Sequence, residues 1–348
     1  MEPVRCIFCP DAASEAAIEE NGYTGRRCLS CGLVFVSPRP SPEDVIALYE
    51  HDHAYVSAES LITSAASWSE RHKAKRIIRF IRRYVRGGRL LELGPGGGAV
   101  LTAARTAGFD PVAVEPSPIQ ADFIRTRHGV RCVTSLDELN DDEGTFDAVF
   151  HGDVLSHFSD PIGEFRRLHA ILREGGLMVF ETGNGADVEP RLLHHYQRFQ
   201  YPDHLYFFGE RTLGMLLDRS GFVRVATRRY SILPTLRLSE LLSRLRDVAA
   251  GRGNKQPGRS GTDRPIESPL SARARAIKAL SAATWTGLYG LTYGVGAVAP
   301  KQGRPQTLLV AARKSAPSRD GAGDRPDVAL QPAAGSPGLV RLWACSRS

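Results

Sequence analysis

The chain lacks the features that mark secreted, fibrous and repeat proteins. It has no signal-peptide pattern, because Met1 to Arg5 is followed by cysteines rather than by a sustained apolar core. It has only six cysteines in 348 residues and no internal repeat. Its hydrophobic content of 42% and charged content of 24% exclude a collagenous, disulfide-dense or mostly disordered chain. We therefore expect a globular protein of the cytoplasm that is long enough to bury a full core.

The chain also lacks a run of Leu, Ile and Val long enough to span a bilayer. The stretch from Ala279 to Pro300 is uncharged, but four glycines and several hydroxyl residues interrupt it. We interpret it as a buried or surface-docked helix and expect no membrane span. The net charge of +7 is compatible with an anionic partner and equally with ordinary surface charge, so it decides little.

The clearest motif is a glycine-rich turn at residues 90–98, which read LLELGPGGG. An apolar run ends in Gly94, Gly96 and Gly98, which allow a tight turn and close approach of the backbone to a ligand. About twenty residues later, Glu115 closes the next apolar run, where an acid can accept hydrogen bonds from two ribose hydroxyls. The pattern predicts a nucleotide-cofactor site.

Glu92 distinguishes between two cofactors that the glycines alone leave open. Gly94, Gly96 and Ala99 also satisfy the dinucleotide pattern, which tolerates alanine in its last position. An acid two residues before the first glycine is unfavourable beside a pyrophosphate and favourable beside the ammonium group of a methionine moiety. The sequence therefore favours S-adenosylmethionine over NAD.

With these motifs the chain resembles the class I S-adenosylmethionine-dependent methyltransferases. The resemblance implies that Glu92, Gly94, Gly96 and Gly98 hold the methionine end of the cofactor and that Glu115 holds the ribose. It also implies an α/β fold with a Rossmann-like, doubly wound sheet of seven strands. Strands are expected near 89–94, 111–115, 130–133, 146–151, 176–182 and 222–230, with a last strand at 307–313 returning antiparallel between its neighbours.

Four cysteines form two CxxC pairs with 18 residues between them: Cys6 and Cys9, then Cys28 and Cys31. This spacing matches a zinc ribbon, in which each pair presents two thiolates to one tetrahedral ion. Four thiolates fill the coordination shell, so the predicted Zn²⁺ is structural. The alternatives are two disulfides, which a cytoplasmic enzyme disfavours, or a redox site, which typically uses a single pair.

The ribbon, the Gly-Leu-Val-Phe segment after it, a Pro-rich turn and a short Tyr-bearing helix together resemble one subgroup of this class. Its members are bacterial methyltransferases from polysaccharide and natural-product gene clusters, among them sugar C-methyltransferases. The predicted organisation is a zinc ribbon at 1–40, a helical cover at 41–86, the cofactor-binding core at 87–233, a helical or flexible insertion at 234–304, the last core strand at 305–315 and a disordered tail at 316–348.

An amphipathic helix is predicted over residues 68–86. Residues 71–86 carry eight Lys or Arg and no acid. Such a face fits RNA, but it also fits the solvated side of a helix that covers the sheet. Nucleic acid is therefore not the favoured partner.

Chemistry is expected where the parallel strands end, at the carboxyl edge of the sheet. His151, Gly152 and Asp153 follow the fourth strand and resemble the family segment beside the methyl donor. They are predicted to neighbour the cofactor or the substrate.

The segment from Tyr201 to Phe208 resembles the His-Leu-Tyr-Phe segment of the same family. Methyl transfer to carbon or to a hydroxyl benefits from a base that removes a proton, and histidine suits this task near neutral pH. We predict His204 as that base, oriented by Asp203 or assisted by Tyr206. The alternative is that His204 orders a segment lying over the cofactor.

These inferences together predict a methyltransferase that acts on a small, anionic biosynthetic intermediate, with a nucleotide-linked sugar as the favoured acceptor. Methylation of RNA is a second hypothesis. A third is a protein that binds the cofactor and assembles a pathway complex without catalysis.

Overall fold

A computed structural model describes residues 1–41, 67–139, 145–193, 195, 199–249 and 286–315, with backbone only at 242–249. The strands are β1 Ser14–Glu20, β2 Tyr23–Cys28, β3 Val34–Val36, β4 Gly88–Leu93, β5 Phe109–Val114, β6 Cys132–Val133, β7 Phe146–Gly152, β8 Leu172–Gly183, β9 Tyr206–Phe207, β10 Phe222–Ser231 and β11 Gln306–Lys314. The helices are α1 Trp68–Ile81, α2 Ala99–Thr106, α3 Pro118–His128, α4 Pro161–Ile171, α5 Pro190–Leu193, α6 Glu210–Arg219 and α7 Leu233–Ala249. The predicted tail at 316–348, most of the helical cover at 41–86 before α1, and the middle of the insertion lie outside the described residues.

The main sheet has seven strands in the order β10-β11-β8-β7-β4-β5-β6. Its strands are parallel except β11, which runs antiparallel to both β10 and β8. The predicted doubly wound α/β sheet and its returning last strand are therefore confirmed. The largest differences in length are at β8, which begins earlier than expected, and at β6, which is shorter because it pairs only with β5 at the edge of the sheet.

Side chains alternate between the two faces of the sheet, as period-two strands require. On β8, Met178 and Phe180 belong to one buried cluster, whereas Leu177 and Val179 belong to the other. Helices α4 and α6 cover the first face, and α1 and α2 cover the second. Both faces are therefore covered by helices and buried apolar side chains, so we expect ligands to bind at the edges of the sheet.

Helix α1 begins at a serine cap, where Ser67 Oγ accepts a hydrogen bond from the Glu70 backbone N–H at 3.1 Å. Its buried residues Ala74, Ile77, Ile78 and Ile81 follow helical spacing and face the sheet. The helix ends at Ile81, before the predicted limit of 86, because residues 82–85 form a tighter turn that leads into β4.

The N-terminal strands form a second, antiparallel sheet in the order β1-β2-β3-β9. Its last strand comes from a segment almost two hundred residues away in the chain. Phe8, Leu33 and Phe35 of this region share one buried cluster with Leu213 and Phe222 of the main body. The N-terminal sheet is thus joined to the core by both hydrogen bonds and packing.

The end of the predicted insertion is helical at residues 286–298, with a π-helical turn at Leu291–Val295. Thr235 Oγ1 and Thr292 Oγ1 lie 2.7 Å apart, and a Cβ on Gly296 would lie 2.3 Å from the Ser231 carbonyl oxygen. This segment therefore packs on β10 and α7. For its described residues, the expectation of a docked helix is confirmed. Among the described residues, no helix combines the length and hydrophobicity needed to cross a membrane.

Candidate active site

The glycine turn joins β4 to α2 at the carboxyl edge of the sheet. Gly94, Gly96 and Gly98 have φ angles of 66°, 51° and 78°. At Gly98 a side chain is excluded twice, since this backbone is strained for other residues and a Cβ would lie 2.6 Å from His128 Nε2. His128 Nε2 also lies 3.0 Å from the Gly97 carbonyl oxygen. His128 therefore braces the turn, a contact that sequence reasoning missed.

Two buried acids flank this turn. Glu92 lies within β4 and is 3% exposed, and Glu115 directly follows β5 and is 1% exposed. Glu115 Oε1 accepts a hydrogen bond from the Ser117 backbone N–H at 3.0 Å. Burial raises the pKa of Glu115 to about 8, an effect that this hydrogen bond partly offsets. Without a ligand this carboxyl group is therefore mostly protonated at neutral pH, and hydrogen-bond donors such as ribose hydroxyls would favour its ionised form.

These groups fit the chemistry of S-adenosylmethionine. A Cβ placed on Gly96 would meet no atom within 4 Å, so the backbone faces open space there. The two carboxyl groups lie at the ends of adjacent parallel strands, where Glu92 pairs with Ala113 and Leu93 with Val114. Acidic partners for an ammonium group and for ribose hydroxyls thus stand beside an open turn.

A buried ion cluster lies at the ends of β7 and β8. Glu181 is 1% exposed and forms ion pairs with Lys73 and with Arg76, the latter at 3.4 Å. Lys73 Nζ also lies 3.6 Å from Asp153 Oδ2. Both cations come from α1, whose basic residues were interpreted from sequence as a solvated or RNA-binding face. Two of the eight basic residues at 71–86 are therefore turned inward and link α1 to the strand ends.

Aromatic side chains cover this cluster. The Arg76 guanidinium lies 3.4 Å from the Tyr293 ring centroid and 4.6 Å from that of Tyr230. The Tyr293 hydroxyl donates to Glu181 Oε2 at 3.4 Å. The insertion thus contributes directly to the carboxyl edge, although nothing in its local sequence marks Tyr293.

The three predicted residues at the end of β7 have different surroundings. The His151 ring is fully buried, stacks on Phe180 at 5.3 Å and contacts Phe158 and Phe165 edge-on. Burial lowers its pKa to about 3. Asp153 is partly exposed and has a φ of 58°, a conformation found often at functional sites. Of the three, Asp153 is the side chain that the structure places among charged groups at the edge, and His151 lies in the aromatic core.

His204 lies against a second histidine. Its ring centroid is 4.6 Å from that of His157, with the rings almost perpendicular. The Asp203 backbone hydrogen-bonds the His157 ring, and the Phe199 backbone hydrogen-bonds the His204 ring. His204 Nε2 is buried and has no hydrogen-bond partner among the described residues. The sequence did not predict this histidine pair, because the two residues lie 47 positions apart.

The surroundings of His204 disfavour the near-neutral pKa that its sequence suggests. Burial lowers its pKa to about 4, although the Asp153 charge and the Phe199 backbone partly oppose this effect. The pKa of His157 is lowered to about 3, mainly by burial and further by the neighbouring His204. Both imidazoles are therefore neutral at physiological pH.

Tyr206 lies two residues from His204 and is almost fully buried. Its hydroxyl accepts from Arg39 Nη1 at 3.1 Å and donates to the Ser159 carbonyl oxygen at 3.3 Å. These contacts tie β9 to the start of α4. The structure thus engages the Tyr206 hydroxyl away from His204, and the predicted assistance to the base stays a prediction.

The four paired cysteines meet in one cluster. The sulfur atoms of Cys6, Cys9, Cys28 and Cys31 all lie within 4.8 Å of one another. Four bonds of about 2.3 Å to a tetrahedral zinc ion would place sulfur atoms about 3.8 Å apart. Gly32, directly after the second pair, has a left-handed conformation with φ 85°. The donor set therefore fits Zn²⁺.

Arginines of α6 bind the backbone of the cysteine turns. Arg219 donates to the Ile7 and Phe8 carbonyl oxygens at 3.1 and 2.9 Å, and Arg211 donates to that of Ser30 at 3.0 Å. The carbonyl oxygen of Leu205, next to His204, accepts a hydrogen bond from the Val36 backbone N–H at 2.9 Å. The cysteine cluster, β9 and the His204 segment therefore form one connected assembly.

Part of the chain matches a known protein family. Residues 67–227 match a family model described as a methyltransferase domain. This range includes α1, the glycine turn, both acids and the His157–His204 pair. This part of the chain is therefore similar to a methyltransferase domain.

Curated relatives include two enzymes named ubiquinone biosynthesis O-methyltransferase. The one from Ruegeria pomeroyi is 31% identical over 166 residues, which are 39% of this chain and 64% of that protein. The one from Xanthomonas campestris is 29% identical over 160 residues, which are 39% of this chain and 66% of that protein. The chain spans less than two thirds of the length of these relatives.

Solved structures with a similar fold include a Burkholderia thailandensis 1,6-didemethyltoxoflavin-N1-methyltransferase with bound S-adenosylhomocysteine. It is 16% identical, with a TM-score of 0.45, over 87% of this chain and 100% of that chain. The [4+2]-cyclase SpnF is 19% identical, with a TM-score of 0.46, over 80% of this chain and 97% of that chain.

Proposed function

We propose that the protein transfers a methyl group from S-adenosylmethionine to a small biosynthetic molecule. The observation that carries this proposal is the open glycine turn flanked by two buried carboxyl groups at the carboxyl edge of the sheet. Glu92 would bind the ammonium group of the cofactor, Gly94, Gly96 and Gly98 would admit its methionine end, and Glu115 would accept from the ribose hydroxyls.

S-adenosylmethionine, when bound, supplies a methyl group activated by a positively charged sulfur. The protein's part is to align the acceptor and to take its proton. His204 is neutral and its Nε2 has no partner among the described residues, so it is in the form that accepts a proton. The Asp153 charge favours the imidazolium that would result. Asp203, through its backbone, would hold the neighbouring His157 in place.

The structural role of Zn²⁺ is part of the same proposal. Cys6, Cys9, Cys28 and Cys31 would bind one ion and fix the sheet to which β9 belongs. Because β9 directly follows the His204 segment, the ion would support the acceptor side of the site.

The acceptor that we favour is a nucleotide-linked sugar, an anionic small molecule. The relatives named ubiquinone biosynthesis O-methyltransferase support a small-molecule acceptor more generally and point to a hydroxyl as an alternative target. RNA is less favoured, because Lys73 and Arg76 of the basic helix are engaged with Glu181.

The test is a transfer assay on the purified chain with methyl-labelled S-adenosylmethionine. Nucleotide sugars, small phenols and RNA are offered separately, and labelled product and S-adenosylhomocysteine are quantified. We expect label on a small molecule and loss of transfer in Glu115→Gln. Label on RNA alone would contradict the acceptor class. Cofactor binding without transfer to any acceptor, and unchanged by His204→Gln, would favour the non-catalytic hypothesis.

A further inference from the structure

A cavity opens at the same edge of the sheet, away from the glycine turn. Its volume is about 840 Å³. Its walls come from the segment after β8, from the start of α7 after β10, and from the loop before β11. Since β8 and β10 are parallel and end there, the cavity lies where open α/β sheets bind ligands.

Three arginines line this cavity, together with two acids and a histidine. Arg191 is paired with Glu189 at 2.5 Å, and His195 Nδ1 lies 3.1 Å from Glu240 Oε2. Both acids therefore already have a basic partner within the cavity wall. Two further positive charges belong to Arg237 and Arg304.

Arg237 and Arg304 approach the cavity from different elements. Arg237 lies on α7, one helical turn after Leu233, and Arg304 lies in the loop before β11. Within the described ranges, neither guanidinium group makes a hydrogen bond or an ion pair. Each offers five N–H donors in a planar fork that matches phosphate oxygens. Two unengaged guanidinium groups suit a ligand with more than one negative charge.

The cavity also has an apolar wall, formed by Leu192, Leu233 and Leu241. A free inorganic ion would leave this wall in contact with water. An organic phosphate would use both parts, with its phosphate at the arginines and its carbon skeleton against the leucines.

We propose that this cavity binds the phosphate or diphosphate group of the methyl acceptor through Arg237 and Arg304. The identification of the ligand as the acceptor rests on the proposed methyl transfer, but the binding of a phosphate group does not. Because the cavity lies beyond the end of β8, a long acceptor could reach from the arginines toward Glu181 and the histidine pair.

The experiment is calorimetric titration of the full, zinc-loaded chain with inorganic pyrophosphate, uridine diphosphate and succinate, with and without saturating S-adenosylhomocysteine. Uridine diphosphate is expected to bind more tightly than pyrophosphate, and succinate more weakly than both. Arg237→Ala and Arg304→Ala should each weaken uridine diphosphate binding about tenfold or more, because each removes a charge-assisted hydrogen-bond donor. Arg237→Lys should retain part of the affinity.

The matched control is Arg228→Ala, which removes the same charge from an exposed position on β10 outside the cavity. Thermal unfolding of each variant confirms that it is folded. The proposal would be overturned if Arg228→Ala weakened binding equally, or if the Arg237→Ala/Arg304→Ala double variant bound uridine diphosphate as tightly as the native chain. Competition between pyrophosphate and S-adenosylhomocysteine would also overturn it. Absence of S-adenosylhomocysteine binding with the arginine effects intact would instead overturn the proposed function and leave the anion site standing.

Discussion

The proposed cofactor half of the carboxyl edge takes its acids and glycines from residues 92–115. The proposed acceptor half, around Glu181 and His204, is assembled from remote segments. Lys73 and Arg76 come from α1, Tyr293 comes from the insertion, and the His204 segment is held by the N-terminal sheet. The first half depends on local turn geometry and strand order. The second depends on tertiary packing and on the cysteine cluster, so the two halves should respond differently to the same perturbation.

The largest effect is expected from removing a cysteine of the cluster. Cys28→Ser should abolish stoichiometric zinc and lower the free energy of unfolding by several kcal/mol, on the order of 5, because metal binding is coupled to folding. Amide hydrogen exchange should rise more at residues 199–208 than at 90–98. Metal analysis and hydrogen exchange by mass spectrometry measure both effects.

Cys132→Ser is the control, since Cys132 is buried but lies apart from the cluster. It should retain one zinc per chain. Equal exchange increases at residues 90–98 and 199–208 in Cys28→Ser would remove the distinction between the two halves.

The next largest effect concerns the buried ion cluster. Glu181→Leu should cost about 3 kcal/mol of unfolding free energy, because it leaves Lys73 and Arg76 without their buried acidic partner. Combining it with Lys73→Met should recover part of that loss. Chemical denaturation of the single and double variants gives the coupling energy.

The exposed pair Arg167 and Asp137 provides the comparison for that cycle. Its disruption by Asp137→Ala, which leaves the Arg167–Glu164 pair in place, should cost about 1 kcal/mol or less. If Glu181→Leu costs no more than Asp137→Ala, the cluster does not hold the acceptor half together.

Glu115→Gln tests the cofactor half by itself. Above pH 8, where Glu115 is ionised, the substitution should weaken S-adenosylhomocysteine binding by about 2 kcal/mol, or roughly thirtyfold, because it removes a charged acceptor of ligand hydrogen bonds. Calorimetry measures this change, with the exposed acid exchange Glu138→Gln as the control. A loss of thermal stability without a loss of affinity would assign Glu115 to folding alone.

The raised pKa of Glu115 predicts a pH dependence. If the ribose hydroxyls donate to the ionised carboxylate, affinity should rise by up to about tenfold per pH unit below pH 8 and then level off. The thiol of Cys132, which faces Glu115, has its pKa raised to about 12 by burial and by this acid, and stays protonated throughout. Glu115→Gln should flatten the profile.

Without ligand, the same group has the opposite effect on folding. The pKa of Glu115 lies above its ordinary value of 4.5, so its contribution to stability is complete below pH 4.5 and is lost as pH rises through about 8. A free energy of unfolding that did not fall more steeply in the native chain than in Glu115→Gln across this window would contradict the raised pKa.

The smallest effect is spectroscopic. His204 and His157 should stay neutral down to about pH 4, so their ring resonances should not titrate between pH 8 and 5. Nitrogen-detected NMR, assigned by His204→Gln and His157→Gln, measures this directly. A His204 midpoint near 6.5 would restore the expectation drawn from sequence.

The contrast between the halves also explains what the sequence could predict. Gly94, Gly98 and Glu115 were predictable because strand, turn and acid follow each other along the chain. Tyr293 was not, since it reaches Glu181 across 112 positions and no local pattern marks it. The lowered pKa of His204 was missed because it results from burial, which only the folded chain produces.

The most direct test of the central claim is calorimetric titration of the purified chain with S-adenosylhomocysteine and, separately, with NAD. We predict that S-adenosylhomocysteine binds one site per chain with a dissociation constant of about a micromolar, near −8 kcal/mol, and that NAD does not bind. Binding of NAD in place of S-adenosylhomocysteine would contradict the assignment of Glu92 and make the glycine turn a dinucleotide site.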